Sequence, residues 1–422
     1  MIHRRCFAGA LFVALATAQA CFAGGVIRDS IGARASGRGG ANLAFNDTGA
    51  MLLDNPAAMA RMDRDQLLEL GCDVLITDLQ YADADNASVG ASDNPFPAGQ
   101  FSFIRRDPDG IWAYGLGVYS VAGFCATYDM VAPNSFNNDT HRYKSLGMLV
   151  KVLPGLSCRL TDRWTIGGTL GVAASHMEME GPYFLQGPNQ LQSLPVMLDL
   201  QATGAAPTWS LGMQFELSEK TTLGIAYQSE TKLHLAGHSV IDAGALGSTR
   251  YKTKLDVVWP QSLGVGLKHS FCRHHTVAAD LLWYQWSRAF DKFRLQFEDS
   301  EVGGFPDLYE EFPLDWSDTV ALRFGHEYRP VAGRVFRWGY IHSPNPIPNG
   351  TLTPYMQATL EHAFSLGYGW TTATDLEIDL AYQFAFSSDR QVQQSDLLGG
   401  DFSNSRHRSQ AHWTFLSVMK RY

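Results

Sequence analysis

Residues 375–386 read DLEIDLAYQFAF, a stretch in which the type of side chain alternates strictly. The even positions carry the large apolar side chains, namely Leu376, Ile378, Leu380, Tyr382, Phe384 and Phe386. The odd positions carry charged, polar or small side chains, beginning with Asp375 and ending with Ala385. Successive side chains of a β-strand point to opposite faces, so this period of two predicts a strand with one apolar face.

The same alternation recurs in the segments 209–216, 319–328 and 364–370. Each of them places a large apolar side chain at nearly every second position, with Gly, Ser or a charged residue in between. Two classes of protein contain many strands of this kind, the soluble β-sandwich and the closed transmembrane barrel.

The lengths of the connections between strands separate these two classes. Short polar connections are predicted at 105–110, 161–163, 218–220, 272–276, 330–333 and 371–374. Long connections are predicted at 83–97, 121–141, 177–205, 236–250, 292–316, 343–360 and 388–406. Six short connections interleaved with seven long ones predict fourteen strands. Outer-membrane barrels have an even strand number, short turns at one end and long loops at the other, whereas a sandwich has no reason to sort its connections.

Composition agrees with an all-β, 14-stranded antiparallel transmembrane barrel. Aromatic residues make up 12% of the chain and charged residues only 18%, and residues such as Trp112, Trp164 and Trp259 near strand ends match interfacial girdles. The net charge of −9 argues against a nucleic-acid partner. A mean hydropathy of −0.13 argues against a helical membrane protein. The last residue, Tyr422, resembles the assembly signal that barrels present to the barrel-assembly machinery.

The first 23 residues are predicted to be a cleaved signal peptide. His3, Arg4 and Arg5 precede an apolar run at 6–16, and small residues follow it. Cleavage is expected after Ala23; a cut after Ala20, or a lipoprotein anchored at Cys21, is an alternative. The mature protein is therefore expected in the outer membrane of a Gram-negative-type bacterium.

The next segment, 24–62, is rich in Gly and Ala and has no clean helical or strand period. It has too little apolar bulk to form a core of its own. We therefore expect it to pack inside another part of the protein, and the remaining residues, 63–422, to form the barrel.

Several stretches in a fixed order carry a family resemblance. The first contains Gly37, Arg38, Gly39, Gly40, Asp47, Asn55, Pro56 and Ala57. Further along come a strand interrupted at Trp259-Pro260, the stretch LLWYQWSRAF at 281–290, and the late segments DWSDTVALRFGHEYRP, RWGYIHSPNPIP and SLGYGW. Together they resemble the FadL/TodX (OMPP1) family of outer-membrane transporters for long-chain fatty acids and other hydrophobic compounds.

The resemblance implies that 24–62 is a hatch inside the barrel lumen. It also implies that a hydrophobic substrate is captured at external loops, passes the hatch and leaves sideways into the membrane lipid through a gap in the wall. Asn55-Pro56 is then the expected fixed corner between hatch and barrel, and Asp47 a candidate tether. The gap is expected at a kink in the third strand, near 111–121, where the candidates are Gly115, Gly117 and Gly123, with Gly117 as the kink.

A cluster of apolar residues in the third long loop is the candidate capture surface. Its members are Met177, Met179, Phe184, Leu185, Leu191, Leu194, Val196, Met197 and Leu198. Met adapts to varied apolar ligands, and a large apolar patch outside the bilayer indicates a partner. The alternative is that these residues pack the loop onto its neighbours.

Charged residues at inward positions form a candidate lumenal network. They are Asp375, Glu377 and Asp379, joined by Arg323, Glu327 and Arg337 on nearby strands. Charges cost little in a hydrated lumen and much on the lipid side. An ion-pair network that braces wall and hatch is favoured over carboxylate binding, and Arg38 is a candidate partner for either.

The leading hypothesis is ligand-gated uptake of a long-chain fatty acid or another hydrophobic molecule, by a monomer without a cofactor. No pair of nucleophile and base is evident, and the His pairs lack a third ligand at sensible spacing, so no catalytic or metal site is predicted. A general porin for polar solutes and an outer-membrane lipid hydrolase are the alternatives.

Overall fold

The computed structural model describes residues 26–92, 95–187, 190–399 and 402–422, with only the backbone of Asn134. The predicted signal peptide, the lipoprotein alternative at Cys21, and Gly24 at the start of the predicted hatch lie outside these residues. Within the described ranges, no helix has both the length and the apolar character that a membrane span requires.

The described residues contain twenty β-strands in one antiparallel sheet. They are β1 (Gln66–Ala82), β2 (Val89–Gly90), β3 (Phe96–Arg106), β4 (Trp112–Val131), β5 (Thr140–Arg159), β6 (Trp164–Phe184), β7 (Pro195–Ser218), β8 (Thr221–Gln228), β9 (Thr231–Asp242), β10 (Ser248–Trp259), β11 (Ser262–Cys272), β12 (His275–Tyr284), β13 (Lys292–Glu298), β14 (Leu308–Pro313), β15 (Thr319–Val331), β16 (Arg334–His342), β17 (His362–Thr371), β18 (Leu376–Phe386), β19 (Arg390–Val392) and β20 (Ser405–Arg421).

Fourteen of these strands form a closed ring, which confirms the predicted barrel. The ring runs β1, β3, β4, β5, β6, β7, β8, β11, β12, β15, β16, β17, β18 and β20. It closes where β20 pairs with β1 from Leu67↔Arg421 to Ala82↔Arg406. Closure pairs the last strand of the ring with the first, so no strand of the ring lies at an open edge of the sheet.

The connections sort into two kinds, as predicted. The six short connections join their strands at one end, which we call the tight-turn end, and the opposite end is the long-loop end. Three of the long connections are shorter than predicted, because their flanking strands continue further as pairs. The connections that remain are 132–139 between β4 and β5, 185–194 between β6 and β7, and 243–247 between β9 and β10. In the continued parts of these strands the outward residues, such as His176 and Glu178, are polar, so the apolar alternation ends before the strand does.

Six of the described strands lie outside the ring, all at the long-loop end: β2 pairs with β1, β19 pairs with β20, and the other four extend the wall. β9 follows β8 and pairs with β7 and β10, and the hairpin β13–β14 pairs with β10. Pro260 separates β10 from β11, at the predicted strand break. Short helical turns accompany these strands at Trp286–Ala289, Asn134–Phe136, Gly244–Leu246, Asn349–Thr351 and Pro354–Met356.

The two faces of β18 behave as the alternation predicts. Leu380 and Tyr382 are exposed on the outside, whereas Asp379 and Gln383 are buried in the lumen. The same division runs around the barrel, where outward Leu and aromatic side chains form an apolar band for the lipid.

Residues 26–62, which we call the hatch segment, lie inside the ring. The segment contains short helical turns at Ala33–Gly37, Met51–Asp54 and Pro56–Arg61, and residues 31–45 are all buried. The first turn contacts β16, β17 and β18, and the third contacts β5, β6 and β7 in another part of the wall. A segment that touches such separate parts of a closed wall from their buried faces occupies the lumen.

We expect Leu366→Arg to destabilise the barrel in lipid. Leu366 lies near the middle of β17 and is 65% exposed on the outer face. An Arg at the bilayer midplane costs about 2–4 kcal/mol. Urea-induced unfolding in phospholipid vesicles measures the change in free energy.

The matched control is Leu160→Arg in the short connection between β5 and β6, where Leu160 is 56% exposed. There the new charge meets water, and the expected loss is below about 1 kcal/mol. Equal losses in the two variants would contradict this position of the bilayer.

Candidate functional site

The guanidinium of Arg38 lies at the centre of the contact between hatch and wall. It is fully buried and donates to both carboxylate oxygens of Asp47, at 2.8 and 3.1 Å. It also donates to Glu327 on β15 at 3.0 Å. Burial acts to raise the pKa of Asp47, but Arg38 and Arg34 outweigh it and hold this pKa well below its usual range. Asp47 therefore stays ionised and neutralises Arg38 within the hatch segment, while Arg38 reaches the wall at Glu327.

A second arginine of the hatch, Arg34, binds the carboxylates of β18. Its Nη2 donates to Glu377 and to Asp379, at 2.7 Å each. Arg337 on β16 links the two arginine sites, because it donates to Glu327 at 2.7 Å and to Asp379 at 2.6 Å. We call this group the lumenal ion cluster; it comprises Arg34, Arg38, Asp47, Glu327, Arg337, Glu377 and Asp379.

Four of the six charged wall residues predicted to form a lumenal network belong to this cluster. Arg323 lies apart from it, with its Nη2 3.1 Å from the hydroxyl of Tyr284 and 3.9 Å from Asp29. Asp375 contradicts the prediction, since it is exposed in the turn before β18 with a φ of 56°. Its position in that turn removes it from the alternation that governs the strand.

Asn55 and Pro56 form the corner where the hatch turns toward the wall. The Asn55 side chain accepts from the N–H of Ala57 at 3.2 Å and donates to the carbonyl of Met213 on β7 at 3.1 Å. A Cβ atom on Gly212 would lie 2.1 Å from Asn55 Oδ1. The wall therefore needs glycine at this position for the corner to fit.

The glycines of the hatch motif meet glycines of the opposite wall. A Cβ atom on Gly37 would lie 2.9 Å from the Cα atom of Gly367, and one on Gly39 would lie 2.9 Å from the backbone nitrogen of Tyr340. Gly39 and Gly40 also have φ of +66°, a conformation that glycine adopts without strain. Hatch and wall thus touch backbone to backbone.

Sequence reasoning missed several wall carboxylates that accept from the hatch. Asp280 accepts from the N–H groups of Asn42 and Leu43, at 2.7 and 3.0 Å, and Glu69 accepts from the N–H of Gly49 at 2.6 Å. Asp73 pairs with Arg28. Their inward position on β12 and β1 was the available signal, because an isolated inward carboxylate in a barrel needs a donor from the lumen.

The third strand of the ring, β4, carries an irregularity at Val121. Pairing with β5 shifts register between Ser120 and Ala122, so the inward residues change from odd to even numbers. Pairing with β3 ends at Gln100↔Tyr119. Beyond it the hatch segment takes the place of β3, because the N–H of Arg28 donates to Val121 at 3.1 Å and that of Gly123 to Val26 at 2.8 Å.

The disruption therefore lies in the predicted strand but not at the predicted kink. Gly117 pairs regularly with Ser102 and Leu153, and a Cβ atom there would lie 2.3 Å from the ring of Tyr119. Gly117 makes room for that buried ring. Gly115 is also regularly paired, and Gly123 lies beside the bulge.

An apolar cavity of about 60 Å³, which we call the outer cavity, lies at the long-loop end. Its walls include Phe124, Met177, Leu198, Leu255 and Phe293, together with Thr353, Tyr355 and Met356 from the connection between β16 and β17. Residues 351–360 of that connection are all buried, so this loop folds into the barrel mouth. Tyr355 anchors it by donating to the carbonyl of Pro182 at 2.9 Å.

The nine predicted capture residues surround this cavity rather than forming one loop. Met177, Met179 and Phe184 lie on β6, and Val196, Met197 and Leu198 lie on β7. Only Leu185, Leu191 and Leu194 lie in the connection 185–194. Met177, Met179 and Leu198 line the cavity, and the others pack into the adjoining apolar clusters. The prediction that these residues form one long external loop was wrong. The residues do belong to apolar clusters at or near the cavity, as their composition suggested.

A second cavity of about 70 Å³, which we call the inner cavity, lies between the hatch segment and the wall. Leu149, Lys151, Trp259 and Arg323 are among its wall residues, and Asp29 among those of the hatch. Lys151 is 8% exposed, and its Nζ lies 3.3 Å from Gln228 Oε1. No ion pair joins Lys151 to a carboxylate within the described ranges.

A third cavity of about 630 Å³ opens at the tight-turn end. It reaches Arg34, Asp47, Arg337 and Asp379, so the lumenal ion cluster forms its inner end. The cluster therefore separates this third cavity, which we call the vestibule, from the part of the lumen on the long-loop side of the hatch. In the part of the chain that the structure describes, no group of three or more His, Cys, Asp or Glu side chains is arranged to hold a metal ion.

We expect Arg38→Met to loosen the hatch without dissolving the barrel. The change leaves Asp47 and Glu327 with one cation fewer, and removing one partner of a buried ion pair costs about 3–5 kcal/mol. Single-channel conductance should rise, while heat-modifiable migration in gels, which reports the folded barrel, should persist. The control is Arg406→Met, whose ion pair with Asp389 is largely exposed. An Arg38→Met protein that conducts like the control would contradict the tethering role.

Comparison with known proteins agrees with this architecture. Residues 13–421 match the family described as outer membrane protein transport protein (OMPP1/FadL/TodX). No curated protein sequence matches significantly. A FadL homologue from Pseudomonas aeruginosa superimposes with a TM-score of 0.77 at 18% identity, over 94% of this chain and 99% of the homologue.

Two toluene transporters also share the fold. TbuX from Ralstonia pickettii has a TM-score of 0.74 at 21% identity, over 93% of this chain and 99% of TbuX. TodX from Pseudomonas putida has a TM-score of 0.75 at 19% identity, over 94% of this chain and all of TodX. The family match covers nearly the whole sequence, and the chain belongs to the OMPP1/FadL/TodX family of outer-membrane transport proteins.

Proposed function

We propose that this transporter takes up long-chain fatty acids, or amphiphiles with the same combination of an apolar tail and an anionic head. The observation that carries the proposal is the buried ammonium of Lys151. An unneutralised buried charge is costly, and a carboxylate entering the inner cavity would neutralise this one through a charge-assisted hydrogen bond.

The positions of Ser145 and Lys151 along β5 also support a substrate with an anionic head and a long apolar tail. Ser145 lines the outer cavity and Lys151 lines the inner cavity, and both point inward. Six residues of strand separate them by roughly 20 Å. A carboxylate at Lys151 would therefore place an extended alkyl tail along the apolar wall toward the outer cavity.

A neutral aromatic hydrocarbon is the second candidate. The outer cavity is lined mainly by Met, Leu and aromatic side chains, and two relatives in structure are toluene transporters. Such a substrate would use the outer cavity and have no need of Lys151. The two candidates thus differ in one residue that can be tested.

The proposed route runs from the long-loop end to the membrane. Substrate is captured by the apolar residues of β6, β7 and their connection, passes the hatch, and leaves into outer-membrane lipid beside β4. The interruption at Val121 supports this exit, since the pairing of β3 with β4 ends at Gln100↔Tyr119 and the hatch segment covers the edge of β4 beside the bulge. We also propose a mature chain cut after Ala23, a hatch at 24–62, a barrel at 63–422 inserted by the barrel-assembly machinery, and a monomeric state.

We expect Lys151→Met to weaken binding of palmitate by about 10- to 100-fold, since a hydrogen bond to a charged group contributes about 1.5–3 kcal/mol. Binding of hexadecanol, which has the same tail without the charge, should change little. Calorimetry on the purified barrel measures both affinities.

The control is Lys254→Met, because Lys254 is exposed on the outer face of β10 and pairs with Glu298 at 2.7 Å. If Lys151→Met weakened palmitate and hexadecanol equally, recognition of the carboxylate would be ruled out. Unchanged palmitate binding together with tight toluene binding would favour the hydrocarbon candidate.

We expect the double variant Leu194→Ser, Met197→Ser to slow fatty-acid uptake by cells. Both side chains are half-buried at the edge of apolar clusters near the outer cavity, and their loss weakens the first apolar contact with substrate. Uptake of radiolabelled palmitate at low concentration measures the effect. Unchanged uptake by a folded double variant would leave these residues a packing role only.

A further inference from the structure

The side chain of Phe124 lies between the two cavities of the lumen. The bulge at Val121 reverses the inward parity of β4, which turns Ala122 and Phe124 inward together with their partners Leu149 and Gly147 on β5. Ala122 and Leu149 line the inner cavity, whereas Phe124 lines the outer one. One inward step along a strand is only about 7 Å, so a single layer of side chains separates the cavities.

On a second strand of the wall, two inward steps separate the cavities instead of one. On β10, Leu255 lines the outer cavity and Trp259 lines the inner one, with the buried residue Val257 between them. The layer of side chains between the cavities therefore extends across the lumen. On the side of β4, Phe124 is the largest side chain of this layer.

Gly147 provides the space that the Phe124 ring occupies. A Cβ atom on Gly147 would lie 2.4 Å from Cε1 and 2.6 Å from Cζ of the ring. Contacts below about 3 Å are repulsive, so any larger residue at 147 would displace the ring. The ring is only 7% exposed and fills this space.

We propose that Phe124 is the gate between the outer and inner cavities and that it sets which tails can pass. Rotation of the ring away from Gly147 opens a passage the width of one ring, which admits a slender alkyl chain and holds back a fused-ring tail. The inference rests on the proposed function, because it assumes that substrate moves between these two cavities. It adds a specificity-determining residue that is distinct from Lys151, the residue proposed to bind the carboxylate.

The test compares uptake of palmitate with uptake of a fatty acid that carries a terminal pyrene. Phe124→Ala should raise pyrene-fatty-acid uptake about tenfold, the scale on which one group in an apolar pocket changes discrimination. Palmitate uptake should change far less. Gly147→Ala displaces the Phe124 ring without removing it. This variant should shift the ratio of pyrene-fatty-acid uptake to palmitate uptake in the same direction.

The matched control is Phe297→Ala, which removes a ring from the wall of the outer cavity on β13 opposite Thr253, on the far side of Leu255 from the layer. Phe124→Leu is the second variant if Phe124→Ala fails to give heat-modifiable barrels. Equal uptake ratios in Phe124→Ala, Gly147→Ala and Phe297→Ala overturn the gate. The effect of Lys151→Met on palmitate binding is measured independently, so a failed gate is distinguishable from a failed substrate assignment.

Discussion

Neutralisation of buried charge inside a closed wall is the constraint on which the rest of the structure depends. Arg38 is fully buried, and it is stable there only because Asp47 and Glu327 meet its guanidinium from two sides. The first partner belongs to the hatch and the second to β15, so this side chain joins the hatch to the wall. Removal of any one of these three side chains leaves an uncompensated charge in a low-dielectric site.

The second organising feature is the bulge in β4. One extra residue reverses which side chains face the lumen, so Tyr119 below it and Phe124 above it both point inward. The same irregularity ends the pairing with β3 and leaves an edge that the hatch segment covers. A single local irregularity thus changes both the pairing of the wall and the side chains that face the lumen.

The sequence was sufficient for the barrel but only for part of the site. Alternation and connection length predict fourteen strands, and inward parity predicts Glu327, Arg337 and Asp379, because both are local periodic signals. Asp375 fails because a turn interrupts that period. Arg34 and Asp280 were missed because their partners are set by distant contacts, and a bulge at Val121 leaves no mark in composition. Above the lipid zone the outward residues, such as His176 and Glu178, are polar, so strand ends such as Phe184 were taken for loops.

The loop at 351–360 gives the lumen a closure independent of the hatch. It folds into the mouth from the long-loop end, while the lumenal ion cluster shuts off the vestibule at the tight-turn end. If the loop and the ion cluster each open independently for only a small fraction of the time, the fraction of time in which both are open is the product of the two fractions. Ions, which need a continuous aqueous path, are then excluded far more strongly than a substrate that advances one compartment at a time.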